Sequence, residues 1–419
     1  MRLHHFYIIT LLALASCYPT QTTTRVDHNL ASIYNPNVTA IHPDYSIYHT
    51  GDSTSILTIR VKSNELLYNQ ANTYNQLASK VAIRYELYAL SDTANQTLAD
   101  TGRRDFDILR SKVGSEFYMQ IPFKAKYPYQ YTMRIFFYDL IRTYYFQAFV
   151  DVNKKDKSNS QNFRAYSGLI ENKPVFNNII YPGDSVRIES RVNAKVQQYF
   201  IFYYKKRERY NPIDAGFTTD ILKNPDSVWK ISSKSNIFHH FPAQGTYIIR
   251  TDSLCINGYT LHNFGESYPN IQHTEEMIGP LTYLTSIDEY RRITKSARLK
   301  NEIDNFWLKS GGSSERAREM IKIYYNRVKY ANTYFTSDRE GWMTDRGMIF
   351  VLYGPPAKLF KSDDEEKWIY TRNNVETSFP FRKRENPFSD NDYILTPSNT
   401  IETSIDETID LWVQGKILF

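Results

Sequence analysis

The chain has 419 residues, 41% of them hydrophobic and 23% charged, which excludes wholesale disorder and implies two to four domains at roughly 100–200 residues each. Sixteen Gly and 17 Pro are too few for a collagen-like or linker-dominated protein. Lysine and arginine exceed aspartate and glutamate by 51 − 45 = 6, a surplus too small and too diffuse for a nucleic-acid-binding protein.

Residues 1–16 carry Arg2, His4 and His5 ahead of an apolar stretch from Phe6 to Ala15. At about ten residues that stretch is half the length a bilayer span needs, so it reads as the core of a cleaved signal peptide. Leu14-Ala15-Ser16-Cys17 resembles the bacterial lipobox, in which the cysteine becomes the lipidated first residue of the mature chain. An acylated Cys17 would anchor the protein to a membrane, since each buried methylene contributes about 0.8 kcal/mol. Cys255 is the other of the two cysteines, so a lipidated Cys17 leaves no structural disulfide. Residues 17–40 then read as a polar tether without an acidic cluster, which favours the periplasmic face of an outer membrane over the cell surface.

From residue 41 the pattern is that of a β-sandwich: short alternating, aromatic-rich runs separated by turn residues. The 34 Tyr and 24 Phe of the chain suit such half-buried pleated surfaces. Residues 55–61, 81–90, 117–123, 131–138 and 144–152 are the best strands, and the charged segment 153–160 ends a first domain at 41–155. A second domain at 163–258 repeats the first weakly. Gly51-Asp52-Ser53 before LTIRV returns 132 residues later as Gly183-Asp184-Ser185 before VRIESRV. VAIRY at 81–85 has a counterpart in 196–204, and PYQYT at 128–132 in AQGTY at 243–247. The expectation is two tandem Ig-like sandwiches.

Beyond Gly279-Pro280 the period changes to 3.6. Ser286 and Glu289 form a capping box for a helix whose apolar positions, Ile287, Tyr290, Ile293, Ala297, Ile303 and Trp307, lead to Gly311-Gly312. A second helix opens at Ser313 with an apolar face of Ala317, Met320, Ile321, Tyr324, Val328 and Ala331. Its basic face (Arg316, Arg318, Lys322, Arg327 and Lys329) reads as solvated, or as a contact for anionic lipid or an acidic partner. Residues 348–353 form a continuous apolar run between Gly and Pro, the signature of a strand buried on both faces. Later, 367–370 reads as a strand, 378–384 as part of a hairpin with an exposed basic-aromatic tip, and 363–366 as an acidic loop.

Gly341-Trp342-Met343-Thr344-Asp345, followed by RGMIFVLYGPP, resembles the GWxTD domain, a C-terminal module of secreted Bacteroidota proteins. The resemblance covers residues 280–419 and implies an α+β unit of a helical hairpin and a small sheet, but no settled activity. The fold class expected is therefore mainly β with a C-terminal α+β domain. Within the motif, Trp342 reads as a core anchor, Thr344 and Asp345 as caps, and Arg346-Gly347 as a charge beside a permissive backbone. The alternative is a binding groove lined by Trp342, Asp345, Arg346 and Tyr353. An Asp338–Asp345 carboxylate pair is conceivable on residue type alone.

No Cys-x-x-Cys, His-Glu-x-x-His, Walker, nucleophile-elbow or dinucleotide signature is present, so the sequence predicts no enzyme, no cofactor and no metal. His239-His240, and His262 and His273 in a connecting loop, read as ordinary histidines. The expectation is a lipid-anchored, non-enzymatic interaction subunit of an outer-membrane assembly or secretion complex, with outer-membrane proteins as partners. The alternative is a glycan- or peptidoglycan-binding module using exposed aromatics, with an unrecognised hydrolase third.

Overall fold

The computed structural model describes residues 29–71, 77–90, 97–110, 116–170, 172–191, 197–206, 224–234, 236–362 and 364–416. The signal segment, Cys17 and Asp363 lie outside them. The described fold is mostly β, with the helices concentrated towards the C-terminus. No helix among the described residues is long and apolar enough to cross a membrane.

The first sandwich comprises β1 (Asp44–His49), β2 (Thr54–Lys62), β3 (Gln70–Ala71), β4 (Leu77–Ala89), β5 (Thr97–Leu109), β6 (Glu116–Lys124), β7 (Gln130–Asp139) and β8 (Tyr144–Asn153). One sheet runs β1-β2-β6. The other runs β5-β4-β7-β8, with β3 pairing at the end of β4. The second sandwich comprises β9 (Phe163–Ser167), β10 (Lys173–Pro174), β11 (Ser185–Ser190), β12 (Gln198–Lys205), β13 (Ser227–Ser232), β14 (Phe238–His240), β15 (Gly245–Arg250) and β16 (Tyr259–Asn263). Its sheets run β10-β9-β11-β14 and β13-β12-β15-β16.

Apart from β3 and β10, the two units match strand for strand. β1-β2-β6 corresponds to β9-β11-β14, and β5-β4-β7-β8 to β13-β12-β15-β16. The three sequence matches fall on equivalent strands: β2 with β11, β4 with β12, β7 with β15. Inward residues alternate with outward ones, as in β2, where Ser55, Leu57, Ile59 and Val61 are buried. Strands β5 and β13 escape sequence reading because they lie at sheet margins and bury little: in β13 four of six residues are exposed.

The connection between the sandwiches is a structured joint despite its polar composition. Lys154 is 3% exposed and donates from Nζ to the carbonyls of Gly51 (2.5 Å) and Thr54 (2.8 Å). Burial pulls its pKa down to about 8. Arg191 of the second unit bonds the Asp52 carboxylate and the Gly51 carbonyl, so the Gly51-Asp52 turn is gripped from both sides.

The third unit contains α1 (Thr274–Ile278), α2 (Ile287–Thr294), α3 (Leu299–Gly311), α4 (Ser314–Phe335), α5 (Asp345–Tyr353), a sheet β17-β18-β19-β20 (Lys358–Lys361, Glu365–Arg372, Val375–Lys383, Tyr393–Leu395) and α6 (Asn399–Val413). Several sequence expectations are corrected here. The run 348–353 is helix α5, not a strand. Every residue of α5 is buried, so no period survives in its sequence to betray the helix. The first expected helix is two, α2 and α3, broken at 295–298, where Ala297 is exposed and the apolar spacing jumps by six. The hairpin turns at Asn373-Asn374, both left-handed (φ 46° and 63°), while Phe379 and Phe381 are fully buried. Glu366, expected in an acidic loop, is 0% exposed. His262, expected in a loop, lies buried in β16 beside Thr246.

Residues 29–34, expected within a tether, are part of the C-terminal core. Leu30 N–H donates to the Leu359 carbonyl (2.8 Å), and Asn29 pairs with Ala357 and Leu359, covering the free edge of β17. The Tyr34 ring packs on Phe335 (4.9 Å) and Trp368 (5.5 Å). The chain thus begins its described course on the last domain, forms both sandwiches, and returns.

Candidate functional site

The Gly341–Met343 segment is a 3₁₀ turn wedged between α4 and α5. A Cβ on Gly341 would lie 2.0 Å from the Ala331 carbonyl oxygen of α4, and one on Gly347 1.8 Å from the Gly341 carbonyl oxygen. Both glycines exist because backbone meets backbone there. Trp342 is 3% exposed, donates from Nε1 to Glu340 (2.8 Å), and meets Tyr283 edge-on. Thr344 is the N-cap of α5: its Oγ accepts from Gly347 N–H (3.0 Å) and donates to the Gly341 carbonyl (2.8 Å). Tyr353 closes the far end of α5 with its hydroxyl 2.8 Å from Ser404 of α6.

Asp345 and Arg346 sit in two adjoining buried polar networks. The Asp345 carboxylate accepts from Leu395 N–H (2.7 Å), tying α5 to β20. Burial and the neighbouring Asp392 push its pKa up to about 7 despite Arg339 and Arg384 nearby. Asp338, the other carboxylate considered, is 3% exposed and paired with Arg339 (2.9 Å). Arg346 is 1% exposed and donates to Glu366 (3.1 Å), the Tyr34 hydroxyl (3.3 Å) and the Asn391 carbonyl (2.9 Å). Its guanidinium lies 4.1 Å from the Tyr393 ring centroid. Glu366 also receives Tyr34 (3.0 Å), Lys361 (3.1 Å) and Trp368 Nε1 (3.2 Å). Burial alone would raise the Glu366 pKa, but Arg346 and Lys361 outweigh it and hold it at about 2.

The structure therefore brings Gly341, Trp342, Thr344, Asp345, Arg346 and Tyr353 together as one packed block rather than as the lining of an open groove. The basic face of α4 divides likewise. Arg327 is buried, donating to the Val351 (3.3 Å) and Leu352 (2.8 Å) carbonyls at the C-terminal end of α5. Arg316 caps the Gly415 carbonyl (2.8 Å). Arg318, Lys322 and Lys329 remain for surface contacts. Among the described residues no group of three or more His, Cys, Asp or Glu could hold a metal.

Asp345 makes pH a probe of this block. A carboxyl whose pKa is raised on folding contributes stability below its unfolded value near 4, and that contribution is lost as pH rises towards 7. The stability of Asp345→Asn relative to the parent is therefore expected to improve between pH 4 and pH 8, measured by urea unfolding. A difference that stays flat over that range counts against a raised pKa.

The cavity outside this block was not legible in the sequence, because its walls come from three separate units. It is a cleft of about 330 Å³ between the β1-β2-β6 sheet and the β10-β9-β11-β14 sheet, closed by Thr333, Tyr334 and Asn391 of the C-terminal unit. That unit also presses on β15 and β16, all of whose residues but Arg250 are buried. Thr246 reaches the Asp338 carbonyl (3.4 Å), Lys206 pairs with Glu340 (2.8 Å), and Tyr204 meets Phe388 edge-on. The last two strands of the second sandwich thus serve two cores. No curated protein matches the chain. The family model of the GWxTD domain matches residues 245–414, the stretch that runs from β15 through the buried GWMTD block to α6.

Proposed function

We propose that the chain is a lipid-anchored, non-enzymatic interaction subunit that holds partner proteins at the periplasmic face of an outer membrane, within an assembly or secretion complex of Bacteroidota. The observation that carries this reading is the seat of residues 29–34 in the core of the GWxTD domain. If Cys17 is acylated, only 11 residues separate it from Asn29, a reach of roughly 40 Å at about 3.5 Å per residue. The GWxTD domain then sits next to the bilayer, and the sandwiches branch from it as a jointed arm held by Lys154 and Arg191. The motif residues support a scaffold rather than a reaction, because each polar group in them is already engaged within the domain.

Purification of the full chain from its native membrane in mild detergent is expected to bring down at least one outer-membrane protein in fixed stoichiometry. Cys17→Ser should release the chain from the membrane fraction and lose that partner. Elution of the lipidated chain as a lone monomer sinks the proposal.

A further inference from the structure

We infer that the cleft between the two sandwiches and the GWxTD domain is a binding site for an uncharged oligosaccharide. Its size falls within the ordinary range for small-ligand sites, at about 330 Å³. What sets the ligand class is the lining. No aspartate, glutamate or lysine contributes to it, and its one arginine, Arg164, is already paired with Glu189 at 2.6 Å, a carboxylate it shares with Arg187. The one histidine, His262, is kept neutral by burial, its pKa pulled down to about 4. A charged ligand entering this space would lose hydration and meet, at most, a guanidinium already engaged by a carboxylate.

Hydrogen-bonding side chains are supplied instead. Ser46, Thr58 and Gln120 stand directly opposite one another across β1, β2 and β6, a row of two hydroxyls and an amide on one sheet face. All three line the cleft, and Gln120 is exposed. Such a row can both donate to and accept from the hydroxyls of a sugar.

The aromatic contribution differs from simple stacking platforms. Arg164 lies over Tyr48 (4.4 Å) and Tyr166 (5.4 Å), and Arg187 also lies over Tyr166 (4.5 Å). Those rings offer hydroxyls and edges more than open faces, again suited to a polar neutral ligand.

The test uses the full chain in detergent and calorimetric titration with maltotriose and N,N′,N″-triacetylchitotriose, together with a wide immobilised panel of uncharged glycans. Trigalacturonate and an uncharged Ser/Thr-rich peptide serve as comparators. At least one uncharged glycan is expected to bind saturably, at least tenfold tighter than trigalacturonate. Thr58→Val and Gln120→Ala should each weaken it by about 3–10-fold without lowering the melting temperature. Both substitutions lie on an outward sheet face, so folding is separable from binding. Absence of binding across the uncharged panel overturns the proposal, as does affinity indifferent to both substitutions or tighter for the acidic sugar. Capture of the peptide in place of the sugars overturns it in favour of a polypeptide site. None of these outcomes depends on whether a protein partner co-purifies.

Discussion

Arg346→Met is expected to destabilise the GWxTD domain by about 3–5 kcal/mol, because it leaves the Glu366 carboxylate buried with its best counter-charge removed. Glu366 is 0% exposed and accepts from four side chains, of which only Arg346 is both cationic and fully enclosed. Lys361 is 29% exposed on its side chain and can turn to water, so it compensates only in part. The double variant Arg346→Met/Glu366→Leu should recover much of the loss, since no uncompensated buried carboxylate remains. Urea unfolding of the two single variants and the double closes the cycle. A single-variant loss below about 1 kcal/mol, or a double variant as unstable as the sum of the singles, contradicts this account. The same experiment carries a pH signature. A carboxylate held at about 2 contributes stability above its unfolded pKa near 4.3, and that contribution fades as pH falls towards 2. The parent should therefore lose more stability than the double variant between pH 5 and pH 3.

That network also explains why the N-terminal segment holds its place. Tyr34 donates to Glu366 and accepts from Arg346, so the segment supplies one hydroxyl to a charge pair otherwise built from α5 and β18. A segment read from composition as a tether is thus a structural part of the domain farthest from it in sequence.

What could be read from the sequence follows the physics of each element. Sandwich strands with one buried face announced themselves, as did α4, whose buried Ala317, Met320, Tyr324, Val328 and Ala331 lie on one stripe. The pairing of Gly51-Asp52-Ser53 with Gly183-Asp184-Ser185 falls on topologically equivalent strands, β2 and β11. Periodicity failed where burial was total: α5 is enclosed on every side and reads as an apolar run, although its cap, Thr344, was visible. It failed again where burial was slight, at β5 and β13. In the GWMTD block Trp342 is buried and Thr344 caps α5, whereas Asp345, expected as a second cap, instead accepts from Leu395 N–H of β20, and the partners of Arg346 could not be foreseen, being 312 positions away at Tyr34 and 20 at Glu366. The cleft left no local trace, since it exists only where three units meet.

Gly347→Ala and Gly341→Ala test what the motif is for. Neither glycine is needed for an unusual φ, so the ordinary argument from backbone freedom does not apply. The added Cβ would meet carbonyl oxygens at 1.8 and 2.0 Å, well inside any tolerable contact, and those oxygens belong to backbone rather than to a side chain that could swing away. Relief requires α5 to move off the 3₁₀ turn, or the turn off α4, and Trp342, Thr344 and Asp345 would move with it. Each substitution is expected to cost more than about 3 kcal/mol, the upper end for overpacking. Gly312→Ala is the control. Its φ is +70° with nothing within 4 Å of a Cβ, so only the left-handed backbone is penalised, by roughly 1 kcal/mol. Hydrogen exchange should show the loss concentrated in α4, α5 and β20, with β4 and β7 of the first sandwich unchanged. If Gly347→Ala is as mild as Gly312→Ala, close backbone packing is not what the motif secures. The small residues would then have to be explained by something that approaches them from outside.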